Sequence, residues 1–145
     1  MSETIGFFLN KITTEQFAII ESAFKNDAEI QFNINSKYGI NVKDKMIAVS
    51  VAPAFSQNKI PFLVIEIACH FTIAGDAWVR FTNKDKTKLI LPLGFVRHLT
   101  MLAIGTVRGV LHSKTENTTF NKFVLPTINV NEIVKNGISF DLVND

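Results

Sequence analysis

One change of period constrains this chain more than anything else in it. Up to about residue 75 the apolar residues recur at every second position, and from residue 89 they recur at every third or fourth. The first pattern belongs to half-buried strands and the second to an amphipathic helix. Residues 5–13 place Ile5, Phe7 and Leu9 on one strand face, with Phe8 opposite. Residues 29–41 turn Ile30, Phe32, Ile34, Tyr38 and Ile40 one way and Glu29, Gln31, Asn33, Asn35 and Lys37 the other, giving one buried and one wet face. Asn41 to Asp44 form a hairpin turn, and a return strand over 46–55 sets Ile47, Val49, Val51 and Phe55 against Ala48, Ser50, Ala52 and Ala54. Pro53 within it predicts an edge position or a bulge. A strand over 62–75 aligns Leu63, Ile65, Ile67, Cys69, Phe71 and Ile73. These four strands predict an antiparallel meander. Phe17, Ile20 and Phe24 have helical spacing, so residues 14–27 fit a short helix or a structured connection equally well.

In the second half, apolar residues at 89, 93, 96, 99, 103, 107 and 110/111 predict a long helix over 89–114, with Pro92 in its first turn. From Pro92 to Ser113 it would measure about 33 Å. Phe95, Leu99, Leu102 and Ile104 widen its apolar face, as in a helix that packs on more than one partner. An extended segment follows. Then comes a short helix, with Asn129 as N-cap, Glu132 three residues on and Gly137 as its stop. No element is assigned to 138–145. The fold class is α+β, in a single domain over 1–145.

Composition excludes several classes of function. With 47% hydrophobic and 19% charged residues, the chain is neither a disordered tail nor a linker. Fifteen basic against thirteen acidic residues leave a formal charge of +2, too little for a nucleic-acid footprint. Lys84, Lys86 and Lys88, diluted by Asp85, read as a solvated turn. No apolar run approaches the about 20 residues of a membrane span. The N-terminus lacks the basic-then-apolar order of a signal peptide. The single cysteine permits no intrachain disulfide and suits a reducing cytoplasm.

No constellation for catalysis is evident, so neither enzymatic turnover, cofactor nor metal is expected. Cys69 and His70 are neighbours on a strand and point to opposite faces. His98 and His112 lie fourteen residues apart on one helix, about 20 Å along its axis, too far to share a metal. Glu66 has no carboxylate partner. Gly105-x-x-x-Gly109 stands out instead. Each glycine costs a helix about 0.8–1 kcal/mol relative to alanine, and a closely approaching partner would offset that. Leu99, Leu102, Gly105 and Gly109 are therefore the candidate oligomer interface.

The residues also resemble a family. The strand over 62–75 is similar to a strand of the SecB export chaperones that starts Phe-Leu and ends Gly-Ile-Phe-x-Ile-x-Gly. Phe62, Leu63, Phe71, Ile73 and Gly75 match, while Cys69 and His70 replace the Gly-Ile pair. Pro92 resembles the proline heading the family's long helix. Arg108-Gly109 resembles its Arg-Gly pair, about one turn later here. Residues 125–133 are similar to a Leu-x-Pro-Val-Asn-Phe segment, with Leu125, Ile128 and Asn129 matching in kind, Pro126 shifted by one and Val130 in place of the phenylalanine. The likeness covers about 60–134.

The resemblance implies an ATP-independent holdase. It would be a homotetramer built as a dimer of dimers, with long helices between sheets, holding unfolded clients in apolar grooves, with no nucleic-acid or membrane partner. The thirteen phenylalanines fit such adaptable surfaces. Phe17, Phe24, Trp78, Phe81, Phe120 and Phe123 lie outside the regular faces and are the candidate client-binding residues. The family's acidic sheet face docks the SecA motor. Here the wet face of 28–40 carries Glu29 alone among acids, which argues against SecA and leaves open a dedicated client such as a toxin–antitoxin pair. A hotdog-type acyl-binding enzyme is the rival reading, although such folds place the helix before most of the strands.

Overall fold

The computed structural model describes residues 4–142. Four long strands form the main sheet: β1 (Phe7–Ile19), β2 (Gln31–Asn41), β3 (Met46–Gln57) and β4 (Ile60–Ile73). They are antiparallel in the order β1-β4-β3-β2. The meander holds for β2, β3 and β4. The first strand, however, pairs with β4 rather than β2, which makes the order that of a Greek key. The connection from β1 must therefore cross to the far edge of the sheet. It does so over residues 20–30, through a single 3₁₀ turn at Glu21–Ala23. Gln57 fastens that crossing. Its amide donates to the carbonyls of Lys25 (2.7 Å) and Ala28 (3.2 Å) and accepts from the Lys25 N–H (2.8 Å).

Bulges reset the alternation where the sequence pattern breaks. In β1 the register shifts between Leu9 and Lys11 and again between Thr14 and Gln16. Leu9, Ile12, Thr14 and Phe17 consequently oppose Phe71, Cys69, Ile67 and Ile65, all on the inner face. These steps of two and three imitate helical spacing. Phe17 thus lies on a strand, not in the helix or connection expected for 14–27. In β3, Pro53 sits on an inner strand rather than an edge. The ladder to β4 runs to Val51↔Ile67 and resumes at Ala54↔Val64, and the register shifts just beyond, after Phe55.

Then α1 (Gly75–Phe81), which nothing in the pattern announced, leads to β5 (Lys88–Leu91). The long helix α2 spans Leu93–Thr115, with Pro92 as N-cap. Residues 89–91, expected in that helix, are strand instead, because β5 pairs with β6 (Ile138–Asp141), which also gives the tail its structure. Of 138–145, residues 143–145 lie outside the described residues. The short helix α3 (Val130–Ile133) starts as expected, with the Asn129 side chain accepting from the Asn131 N–H. It ends four residues before Gly137. That glycine serves a close approach instead, since a Cβ there would collide with the Leu91 carbonyl oxygen.

The core lies between the sheet and α2. Leu99, Ala103, Val107 and Leu111 pack with Ile47, Val49, Val51, Ile65, Ile67 and Phe71, all buried. Tyr38 reaches in from β2 to share a 2.7 Å hydrogen bond with Thr100.

Candidate functional site

The two flanks of α2 differ. Toward β2, residues 119–134 run back along the helix as a strap. Arg97 Nε donates to the Val134 carbonyl at 2.9 Å, and Arg108 donates to the carbonyls of Pro126 (3.1 Å) and Leu125 (3.5 Å). Beneath the strap lies an aromatic cluster. Phe24 stands with ring centroids 4.9 Å from Phe62, 5.4 Å from Phe120 and 5.7 Å from Phe123. Phe123 in turn touches Phe62 at 5.1 Å and Phe55 at 5.6 Å. The pairs are tilted or edge-on, the favourable arrangement for aromatic rings. Lys122 holds its ammonium 5.4 Å from the rings of both Phe24 and Phe123. Phe120 and Phe123 are buried and Phe24 is half-buried, so this cluster is a closed end of the core.

Toward β1 no such cover is present among the described residues. Strand and helix run side by side, with His98 against Phe7 at one end (5.7 Å) and Lys114 over Phe17 at the other (5.6 Å). Between them Leu9 and Ile12, although on the inner sheet face, stay 42% and 47% exposed. Ile19, half-buried, continues the inner face past Phe17. On the helix, Met101 and Leu102 are exposed beside Gly105 and Gly109, where an added Cβ would meet nothing within 4 Å. Of the four interface candidates, Leu102, Gly105 and Gly109 face outward, whereas Leu99 is fully buried in the chain's own core.

The six aromatic candidates do not converge on one groove. Phe24, Phe120 and Phe123 meet at the start of β4, with Phe17 nearby on β1. Trp78 and Phe81 lie at the other end, on α1. Phe81 packs on Phe95 at 5.3 Å, and that chain of rings continues through Phe7 to Phe71. Phe62 and Phe71 lie nine steps apart along β4, about 30 Å. Trp78 is buried and Phe81 half-buried. Sequence reasoning overlooked Ile12, because the bulge at Asn10 that brings it to the inner face leaves no mark in an alternation pattern. It also overlooked Gln57, whose role depends on the strand order.

No family model matches this chain, and no curated protein matches it. Among solved structures it is similar to a SecB-like chaperone of Mycobacterium tuberculosis in complex with a peptide from an antitoxin. The likeness covers 84% of this chain and 90% of that one, at 8% sequence identity and a TM-score of 0.49.

Two titratable groups in the sheet are perturbed by their surroundings. Burial pushes the Cys69 thiol above its ordinary range, with a hydrogen bond to Thr106 opposing. Burial, assisted by Lys11 and opposed by Glu15, holds His70 below its usual value, and its Nε2 lies 3.0 Å from the Thr13 hydroxyl. Among the described residues no cluster of three His, Cys, Asp or Glu could hold a metal. On the outer sheet face Lys37 pairs with Glu66 at 3.1 Å, and Asn33 and Asn35 flank it.

Proposed function

We propose that this chain is an ATP-independent holdase that binds unfolded polypeptides and performs no chemistry on them. The observation that carries the reading is the apolar strip of Leu9, Ile12 and Phe17, open along a sheet edge beside a long helix. An extended client can lay alternate apolar side chains on such a strip while its backbone pairs with the unpaired edge of β1. Phe17 belongs to the strip, whereas Phe24, Phe120 and Phe123 close the core beneath the strap. The resemblance of residues 60–134 to the SecB chaperones points the same way.

The outward face of Leu102, Gly105 and Gly109 is proposed as the contact between copies, in a tetramer built as a dimer of dimers in the cytoplasm. Two mid-helix glycines with open space beside them among the described residues leave a flat seat for a second helix. Export precursors are one client class and a dedicated partner such as an antitoxin another. The outer sheet face, where Lys37 offsets Glu66, does not favour docking of a basic partner such as the SecA tail.

The test is aggregation suppression by the native assembly. Wild type is expected to keep a denatured client soluble without nucleotide, and the double variant Leu9→Ser, Ile12→Ser to lose that ability with its melting curve intact. Equal protection by both would remove the strip from the function.

A further inference from the structure

At the far end of the molecule, Trp78, Val79, Thr82, Asn83, Lys84, Lys86 and Leu142 line an open hollow of about 480 Å³. That is within the about 300–1,000 Å³ of small-molecule sites. Its walls are apolar: the indole of Trp78, the exposed Val79 and Leu142. The neutral polar side chains are already committed inside the turn. Thr82 Oγ1 donates to the Trp78 carbonyl, and the Asn83 amide bonds Thr87 and the Lys88 N–H. Lys88 is held by Asp141 at 2.9 Å, whereas Lys84 and Lys86 have no ion-pair partner among the described residues. Asp85 between them offsets one charge, leaving a net single cation at the mouth.

From this we infer a binding site for a medium-chain fatty acid, distinct from the client strip. The alkyl chain would lie against Trp78, Val79 and Leu142, and the carboxylate would take the ammonium groups of Lys84 and Lys86. A peptide end is the poorer fit, because its amides would find Thr82 and Asn83 already bonded. The lysine-rich turn thereby acquires a role that a solvated loop lacks.

Trp78 is the single tryptophan and reports directly on the hollow. Titrating the full chain with submicellar decanoate should give a saturable change in its fluorescence. The double variant Lys84→Gln, Lys86→Gln should weaken that binding about tenfold without moving the melting temperature. Val79→Asp should abolish it. No saturable change, or equal affinity in the lysine variant, would overturn the proposal. So would tighter binding of a short peptide ending in a free leucine carboxylate, which would assign the hollow to polypeptide termini.

Discussion

The two flanks of α2 meet the same sheet and differ in what covers them. On the β2 side the strap supplies a second layer, and the residues beneath it are sealed: Phe123, Phe120 and Leu125 are buried. On the β1 side the inner-face residues Leu9 and Ile12 stay open. The apolar chemistry is similar on both sides. The difference lies in connectivity, since the chain returns along one flank and not the other. A hydrophobic side chain at an inner-face position is thus core on one flank and exposed surface on the other.

The largest effect should come from breaking the closed flank. Phe123→Ser removes a ring that touches Phe24, Phe55, Phe62 and Phe120, and is expected to cost about 3–5 kcal/mol, read as a large drop in chemical-denaturation midpoint. The glycine seat comes next. Gly105→Leu should overfill the contact between copies by about 1–3 kcal/mol and yield smaller, still folded species by size exclusion with light scattering. Gly105→Ala sharpens this further. With no atom near its Cβ, it should stabilise the isolated helix by up to about 1 kcal/mol if the face is merely solvent-exposed, and should weaken association if a second helix sits there. On the open flank, Leu9→Ser with Ile12→Ser should cost less than the single Phe123 change, with client binding lost instead.

The smallest effect concerns the outer face of the β1–β4 pair. His70 is held below its ordinary pKa, so the native state binds fewer protons there than the unfolded chain does. Stability from this group is therefore present above the unfolded value of about 6.5 and is lost as pH falls through the lower folded value. His70→Gln should flatten that loss, measured as denaturation midpoint against pH.

Much of the fold was legible in sequence because its pattern is period-pure. The alternation in β2, β3 and β4 and the three-four spacing of α2 each reflect one covered face, and they located those elements closely. The parts that misled share a physical cause. Bulges in β1 turned a two-residue period into steps of two and three, so Phe17 looked helical. The apolar residues Leu89 and Leu91 prolonged the helical series, although Pro92 marks the true start and a distant strand claims them. The place of β1 beside β4 depends on long-range pairing, which local pattern does not encode. The candidate site divided the same way. Leu102, Gly105 and Gly109 were found from spacing and do face outward, whereas the six aromatics are all buried or half-buried and pack in or against the core.

The central claim is that the β1 flank, not the strap flank, is where unfolded chains bind. Hydrogen–deuterium exchange of the native assembly, with and without a permanently unfolded client, tests it most directly. Client should slow exchange of the backbone amides over residues 7–20 and leave residues 119–134 unchanged. Protection confined to the strap, or none at β1 when client is bound, would contradict the account.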